Sequence, residues 1–209
     1  MKYEIIPIQL QEGGKIPVYA NYNDAGADVF AAEDLVLRPM EKLVVPLNFS
    51  VALPDHLEMQ VRPRSGLSLK TTLAIPNSPG TVDAGYRDPV GVIVENTYNI
   101  AQLPYALLYD EELRTKVQKE GKILKPDEAK AIFSTYSGSS LETPETLALF
   151  PFLVLDAQGN PWGTLYLEKG MKIAQVVFLE VVHAKFEVVP DVRAFGEDRG
   201  GGYGSTGLK

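Results

Sequence analysis

The chain has 209 residues, enough for one domain with additions or two small ones, and enough to bury a sizeable core. It has no cysteine and only two histidines, His56 and His183, which excludes disulfides, thiolate metal sites, cysteine nucleophiles and histidine-rich metal centres. The 20 basic against 27 acidic residues give a net charge of −7, which argues against a sequence-independent grip on nucleic acid or an anionic membrane. Any catalysis must use carboxylates, hydroxyls, backbone amides or cations.

Met1 to Pro7 lack the roughly 7–15-residue apolar stretch of a secretory signal, and no run approaches the roughly 18 apolar residues of a membrane span. The expected compartment is the cytoplasm. The 18 Gly and 15 Pro favour turns and short strands over long helices. Strands are predicted over 3–9, 27–31 and 34–37, the second following the turn Asn23-Asp24-Ala25-Gly26. Leu43, Val45, Leu47, Phe49, Val51 and Leu53 then take every second place, and alternation resumes at Leu57-Glu58-Met59-Gln60-Val61-Arg62, as strands with one buried face require. Further strands are predicted over 90–95, 164–168, 172–182 and 185–189. Short strands at this density read as a β-barrel or jelly roll.

Two stretches break the pattern. Within 98–162, Asp110 as N-cap, Glu111 and Glu112 in the first turn and Gly121 at C′ punctuate a short helix, and a second helical stretch runs from Pro126 to Phe133. We read 98–162 as a partly helical insertion. The tail from Phe195 to Lys209 holds six glycines and almost nothing to bury, so a flexible arm is expected there.

Five segments hold most of the unusual residue choices. In Asp24-Ala25-Gly26-Ala27-Asp28-Val29 a turn delivers a carboxylate to a strand start; it suits a hard cation held through water, or an ordinary turn. Arg62-Pro63-Arg64-Ser65-Gly66-Leu67 offers guanidinium, hydroxyl and amides around a Gly, suited to phosphate oxygens or to a surface turn. In Asn77 to Pro89, Asp83 could orient and deprotonate a water and the Tyr86 ring could pack on a sugar, or the two could cap and pad a hairpin. Gln175, in the apolar strand after Gly170, needs partners that are structural or a ligand's. Arg199 to Gly207 combines glycines with Arg, Ser and Thr; it lacks the ending and context of a P-loop and otherwise reads as a linker.

In order and content these five segments resemble the five motifs of the trimeric dUTP diphosphatase (dUTPase) family, over residues 24–96 and 165–207. The resemblance implies an all-β, jelly-roll-like barrel and a homotrimer with shared active sites. It also implies Mg²⁺-dependent hydrolysis of dUTP to dUMP and diphosphate by water attack on the α-phosphorus, which limits uracil in DNA and supplies dUMP for thymidylate synthesis. Its division of the chain is 1–97 for the first part of the barrel, 98–162 for the insertion, 163–194 for the second part and 195–209 for the arm over the active site.

By the same resemblance, Asp28 holds a water of the Mg²⁺ shell, Arg64, Ser65 and Gly66 contact the phosphate chain, and Gln175 contacts the phosphate near the scissile bond. Asp83 positions the attacking water, Tyr86 packs on the deoxyribose, and Asn77, Gly80 and Val82 belong to the stretch that reads the uracil edge. From the arm, Arg199 reaches the γ-phosphate, Tyr203 stacks on uracil, and Gly204, Ser205 and Thr206 close over the phosphates. One subunit supplies the first, second and fourth motifs, another the third, and another the arm. The sequence departs from the family pattern at Asp88-Pro89, where Gly usually stands, at Met171-Lys172, in place of an acidic-basic pair, and in an arm motif one residue short between Arg199 and Tyr203.

Two other readings compete. The related dCTP deaminases have a Glu three residues before the Asn that ends the strand after the third motif; that Asn is Asn96, position 93 is Ile93, and Glu95 faces away by alternation. Alternatively, a regulatory protein-binding role is carried by 98–162 on a dUTPase scaffold, with Tyr98, Leu103, Tyr105, Leu107, Leu108, Tyr109 and Trp162 at hand for a partner.

Overall fold

The computed structural model describes residues 3–125, 127–129, 153–198 and 200. Among them, thirteen strands make up most of the regular structure: β1 (Ile8–Leu10), β2 (Ala27–Phe30), β3 (Leu35–Leu37), β4 (Lys42–Pro46), β5 (Phe49–Val51), β6 (Leu57–Arg62), β7 (Leu73–Ala74), β8 (Gly80–Val82), β9 (Gly91–Asn96), β10 (Lys122–Leu124), β11 (Leu153–Leu155), β12 (Leu165–Leu167) and β13 (Lys172–Glu180). Three α-helices accompany them: α1 (Ser65–Lys70), α2 (Leu103–Tyr109) and α3 (Glu111–Glu120). The fold is β-rich, as the density of short strands predicts. No helix among the described residues is long and apolar enough to cross a membrane.

The largest sheet has the order β2-β13-β6-β8 and faces one core with the sheet β4-β9-β7 and the pairs β1-β5 and β12-β3. Its alternation is cleanest in β6, where Leu57, Met59 and Val61 are buried and Glu58, Gln60 and Arg62 are half-exposed. Phe49, Leu37, Leu47, Met59 and Ile173 are among its fully buried side chains; burying each contributes about 1.5–3 kcal/mol.

The alternation from Leu43 to Leu53 is not one strand. β4 pairs with β9, and β5 pairs with β1. Between them Asn48 takes φ 50°, a left-handed conformation that Asn tolerates better than most residues. Its Nδ2 donates to Glu12 O at 2.8 Å, and its own carbonyl accepts from Gln11 N at 2.9 Å, which anchors the turn. Of the strand predicted over 3–9 only Ile8 and Gln9 are in a strand, β1, which continues to Leu10. The stretch predicted as a strand over 185–189 pairs with nothing among the described residues: Val182, Phe186 and Val188 are 91%, 95% and 100% exposed.

Residues after Asn96 build a separate small core in which Leu103, Val117, Val154 and Trp162 are buried together. α3 begins as its punctuation predicts: Asp110 accepts from Leu113 N at 2.8 Å. Gly121 ends it for a different reason than expected. Its φ is −92°, not left-handed, but a Cβ there would lie 2.7 Å from Val117 O and 2.9 Å from Val154 Cγ1. Of the helix predicted over Pro126 to Phe133, residues 127–129 are helical and the remainder lies outside the described residues.

This second core is fastened to the first at Asn96, which is fully buried. Its Nδ2 donates to Leu37 O at 3.1 Å and Gly163 O at 2.8 Å, and its Oδ1 accepts from Thr72 Oγ1 at 2.6 Å and Tyr98 N at 3.0 Å. The stretch is thereby held at both ends.

Candidate functional site

The turn ahead of β2 is closed by Asp24, which accepts from Asn21 N at 2.8 Å. It leads the chain into β2, where Ala27 and Val29 face the core and Asp28 faces outward yet is only 9% exposed. Its carboxylate is clamped on both sides: Arg64 Nε donates to Oδ1 at 2.7 Å and Lys172 Nζ to Oδ2 at 2.7 Å. Burial works to raise its pKa, but the hydrogen bonds and charges of Lys172 and Arg64 prevail and hold the carboxyl below its ordinary range.

Asp28, Arg64, Ser65, Gly66 and Gln175 line one cleft of about 350 Å³ with Ala20, Asp24, Ala25 and Gly26. Gln175 stands opposite Asp28 on one side and Arg62 on the other. Its Nε2 donates to Pro63 O at 2.8 Å, leaving its carbonyl toward Gly26. Ser65 and Gly66 are exposed and, instead of a turn, begin α1. A Cβ at Gly66 would meet nothing within 4 Å, so the cleft is open there.

The third segment lies elsewhere on the same sheet. β8 pairs with β6, whereas β9 pairs with β4 and β7, so the expected hairpin around Asp83 is instead a passage between two sheets. Asp83 O accepts from Tyr86 N at 3.0 Å, and Tyr86 OH donates to Pro89 O at 3.1 Å, with the ring 40% exposed. The Arg87 guanidinium donates to Ala84 O and to Tyr86 O, bracing the loop. Asp83 and Asn77 are exposed, Gly80 is buried and Val82 is half-buried. Register fixes the offset. Val82 stands opposite Met59, so Asp83 lies level with Glu58, six residues short of Arg64. At about 3.3 Å per residue that is about 20 Å along the strand. Gln175 stands opposite Arg62, four residues away, about 13 Å.

Arg199, Tyr203, Gly204, Ser205 and Thr206 lie outside the described residues. Lys172, noted in the sequence only as part of a departure from the family pattern and not as a site residue, belongs to the Asp28 cluster. Ile93 is exposed on β9; Glu95 is on the same outward face, not turned away from it, but pairs with Lys42 at 3.6 Å.

Among the described residues no group of three or more His, Cys, Asp or Glu could hold a metal ion by itself. A magnesium ion that keeps most of its waters and is chelated mainly by a ligand's phosphates needs only one or two protein carboxylates. Asp28 meets that requirement, since each of its oxygens has a second lone pair beyond the one its cation occupies.

Fold and cleft together define a β-rich protein with a cation-flanked polar cleft at one sheet end. A dUTPase family model matches residues 12–103. The deoxyuridine 5'-triphosphate nucleotidohydrolase of Clostridium tetani is 46% identical over 87 residues, covering 42% of this chain and 60% of that protein. Its counterpart from Zymomonas mobilis subsp. mobilis is 44% identical over 98 residues, covering 46% of this chain and 67% of that protein. The chain belongs to the dUTPase family, and it spans about 60–67% of the length of these two relatives.

Among solved structures, a Staphylococcus bacteriophage 80alpha dUTPase variant with dUpNHpp is 23% identical, covering 99% of this chain and 100% of that one, with TM-score 0.66. A dUTPase variant from phage phi11 of S. aureus, described with a structural Mg(II) ion, is 24% identical, covering 91% and 99%, with TM-score 0.60. At these identities the likeness speaks for the fold.

Proposed function

We propose that this protein hydrolyses dUTP to dUMP and diphosphate by attack of water on the α-phosphorus, in the cytoplasm, with 1–97 and 163–194 as the β core, 98–162 as an insertion and 195–209 as an arm over the site. The observation that carries the reading is the convergence of Asp28, Arg64, Ser65, Gly66 and Gln175 on one cleft. Arg64, Ser65 and Gly66 take the phosphate oxygens, and Gln175 turns its amide to the phosphate next to the scissile bond. Asp28 would hold magnesium through water, and the ion would supply positive charge to offset that of the triphosphate. Asp83 accepts the proton of the attacking water and fixes its direction. Tyr86 lies along the deoxyribose, where a 2′-hydroxyl would collide, and the backbone of Asn77, Gly80 and Val82 reads the uracil edge. From the arm, Arg199, Tyr203, Gly204, Ser205 and Thr206 close over base and phosphates.

The level of Asp83 is offset along the sheet by about 13 Å from that of Gln175 and about 20 Å from that of Arg64, which favours delivery of the Asp83 loop to a different cleft. We assign the Asp83 loop to the cleft of a neighbouring copy in a homotrimer. The exposed Val182, Phe186 and Val188 that follow β13 support assembly, because an extended apolar stretch of this kind is covered in stable proteins.

The test is an assay of diphosphate release from dUTP, dCTP and UTP, with turnover expected for dUTP alone. Asp83→Asn should bind the non-hydrolysable imido analogue of dUTP with magnesium yet lose about three orders of magnitude in kcat. Gln175→Ala should be similarly inactive, and trimers reassembled from a mixture of the two variants should regain turnover. Near-normal kcat in Asp83→Asn, or no recovery in the mixture, would overturn the role or the sharing respectively.

A second reading has its own observation: Tyr105, Leu108 and Tyr109 are 70%, 66% and 88% exposed on α2, a face suited to a protein partner. Replacing 98–162 by a short linker tests this: a partner surface can be deleted without loss of trimer or turnover, whereas a segment that covers the barrel or a subunit seam cannot.

A further inference from the structure

β13 carries an irregularity that none of these roles uses. Gln175 pairs with Asp28 and Ala174 with Val29, but the next pair is Lys172 with Phe30, so Ile173 is an extra residue in the strand. Ile173 and Ala174 are consecutive and both 0% exposed, side by side toward the core, as a bulge allows. In unbroken register Lys172 would stand opposite Ala31, a core residue 1% exposed, and its ammonium would be directed into apolar packing. The bulge moves it to the outward face shared by Phe30 and Asp28, where Nζ reaches Asp28 Oδ2 at 2.7 Å. Lys172 does not itself line the cleft. Arg64, the other cation on Asp28, does.

From this geometry we propose that Lys172 is a positioning residue: from outside the cleft it fixes the Asp28 carboxylate, so that Asp28 keeps its orientation when Arg64 turns from it to the phosphate chain. The proposal rests on the reading of Asp28 as the residue that holds magnesium through water. Arg64 is required in two places, and a carboxylate held by one departing partner would be free to rotate about its χ angles. Lys172 supplies a compact charge from β13, anchored by the bulge, and its main-chain carbonyl also accepts from Arg64 Nη1 at 3.4 Å. It acts on the metal-bound form of the nucleotide, because Asp28 does.

Lys172→Met removes the ammonium and keeps the apolar stem; Lys172→Arg keeps the charge. Calorimetry with the imido analogue of dUTP should find Lys172→Met weakened about tenfold in the presence of magnesium, the scale typical of losing a partner that orients a metal-binding group, and unchanged within about twofold in EDTA. Lys172→Arg should recover most of the affinity. In turnover the loss should fall on KM for dUTP with kcat little altered. Wild-type affinity in Lys172→Met with magnesium overturns the proposal. So does an equal loss with and without metal, which would mark a direct phosphate contact, or an equal loss in Lys172→Arg. Circular dichroism and sizing confirm that each variant is folded and assembled, and Lys172→Arg with its magnesium dependence decides the matter if Lys172→Met does not fold. A wild-type chain that leaves dUTP intact would refute the functional reading instead, whereas an active wild type with an unaffected Lys172→Met refutes only the role of Lys172.

Discussion

Replacing Asn96 by Ala removes a side chain that bonds Leu37 and Thr72 of the first core's surroundings and both ends of the segment that carries the second. An amide has two N–H donors and two acceptor lone pairs, and here all four are used. The Thr72 hydroxyl can rotate to another acceptor, but Leu37 O loses a partner in a buried position and Gly163 O and Tyr98 N lose theirs in half-buried ones. At about 1 kcal/mol for each main-chain partner, the loss is about 3 kcal/mol. With a urea dependence of about 2 kcal/mol per molar, the midpoint should fall by about 1.5 M at fixed protein concentration. Trp162, the sole tryptophan, is 8% exposed beside Gly163 and reports the second core directly. Its fluorescence and the far-ultraviolet dichroism should change together in the wild type, while in Asn96→Ala the fluorescence should change first, because the inner segment has lost its fastening. Coincident transitions with a midpoint within about 0.3 M of the wild type would refute the account, since that corresponds to about 0.6 kcal/mol, far short of three hydrogen bonds.

Gly26→Ala would set a Cβ against Gln175 Oε1, the far end of a flexible side chain, so stability should change by less than about 1 kcal/mol. The displaced amide should nevertheless weaken binding of the imido analogue about tenfold, or 1.4 kcal/mol, measured by calorimetry; unchanged affinity would show that Gln175 does not meet the ligand. Asp28 also makes stability depend on pH in a defined direction. Its pKa is lowered in the folded chain, so its contribution is complete above the ordinary value of 3.8 and disappears as pH falls through the lower folded-state value. The gap in urea midpoint between the wild type and Asp28→Asn should therefore be steady from neutral pH to about 5 and close at more acidic pH, and a gap independent of pH would contradict it.

Strands that bury one face of a sheet were legible because burial and sequence share a period of two, as in β6. Where that period carried no information about partners, the reading went astray. Leu47 and Phe49 are both buried, so the alternation runs smoothly across Asn48 although the chain changes sheets there. The stretch 185–189 alternates too, yet a strand needs a neighbour, and no described part of this chain supplies one. α1 has no buried residue and so no apolar stripe to announce it. At the site, Asp28, Arg64, Ser65, Gly66 and Gln175 stood out as polar choices in or beside apolar strands, and the cleft gathers them. Lys172 did not stand out, because a lysine at a strand entrance is unremarkable until a one-residue bulge aims it.

The bare stretch beyond β13 has a consequence for how the protein is made and handled. A newly synthesised chain carries Val182, Phe186 and Val188 in the open, with main-chain groups on either side that no described part of the chain pairs. Such a segment attracts any extended strand it meets, related or not. In the homotrimer proposed above, the interval between folding of the β core and arrival of further copies is the vulnerable one. Under that assembly, protein concentration becomes a term in the stability of the fold itself: dilution should lower the unfolding midpoint, and overproduction faster than assembly should favour disordered association.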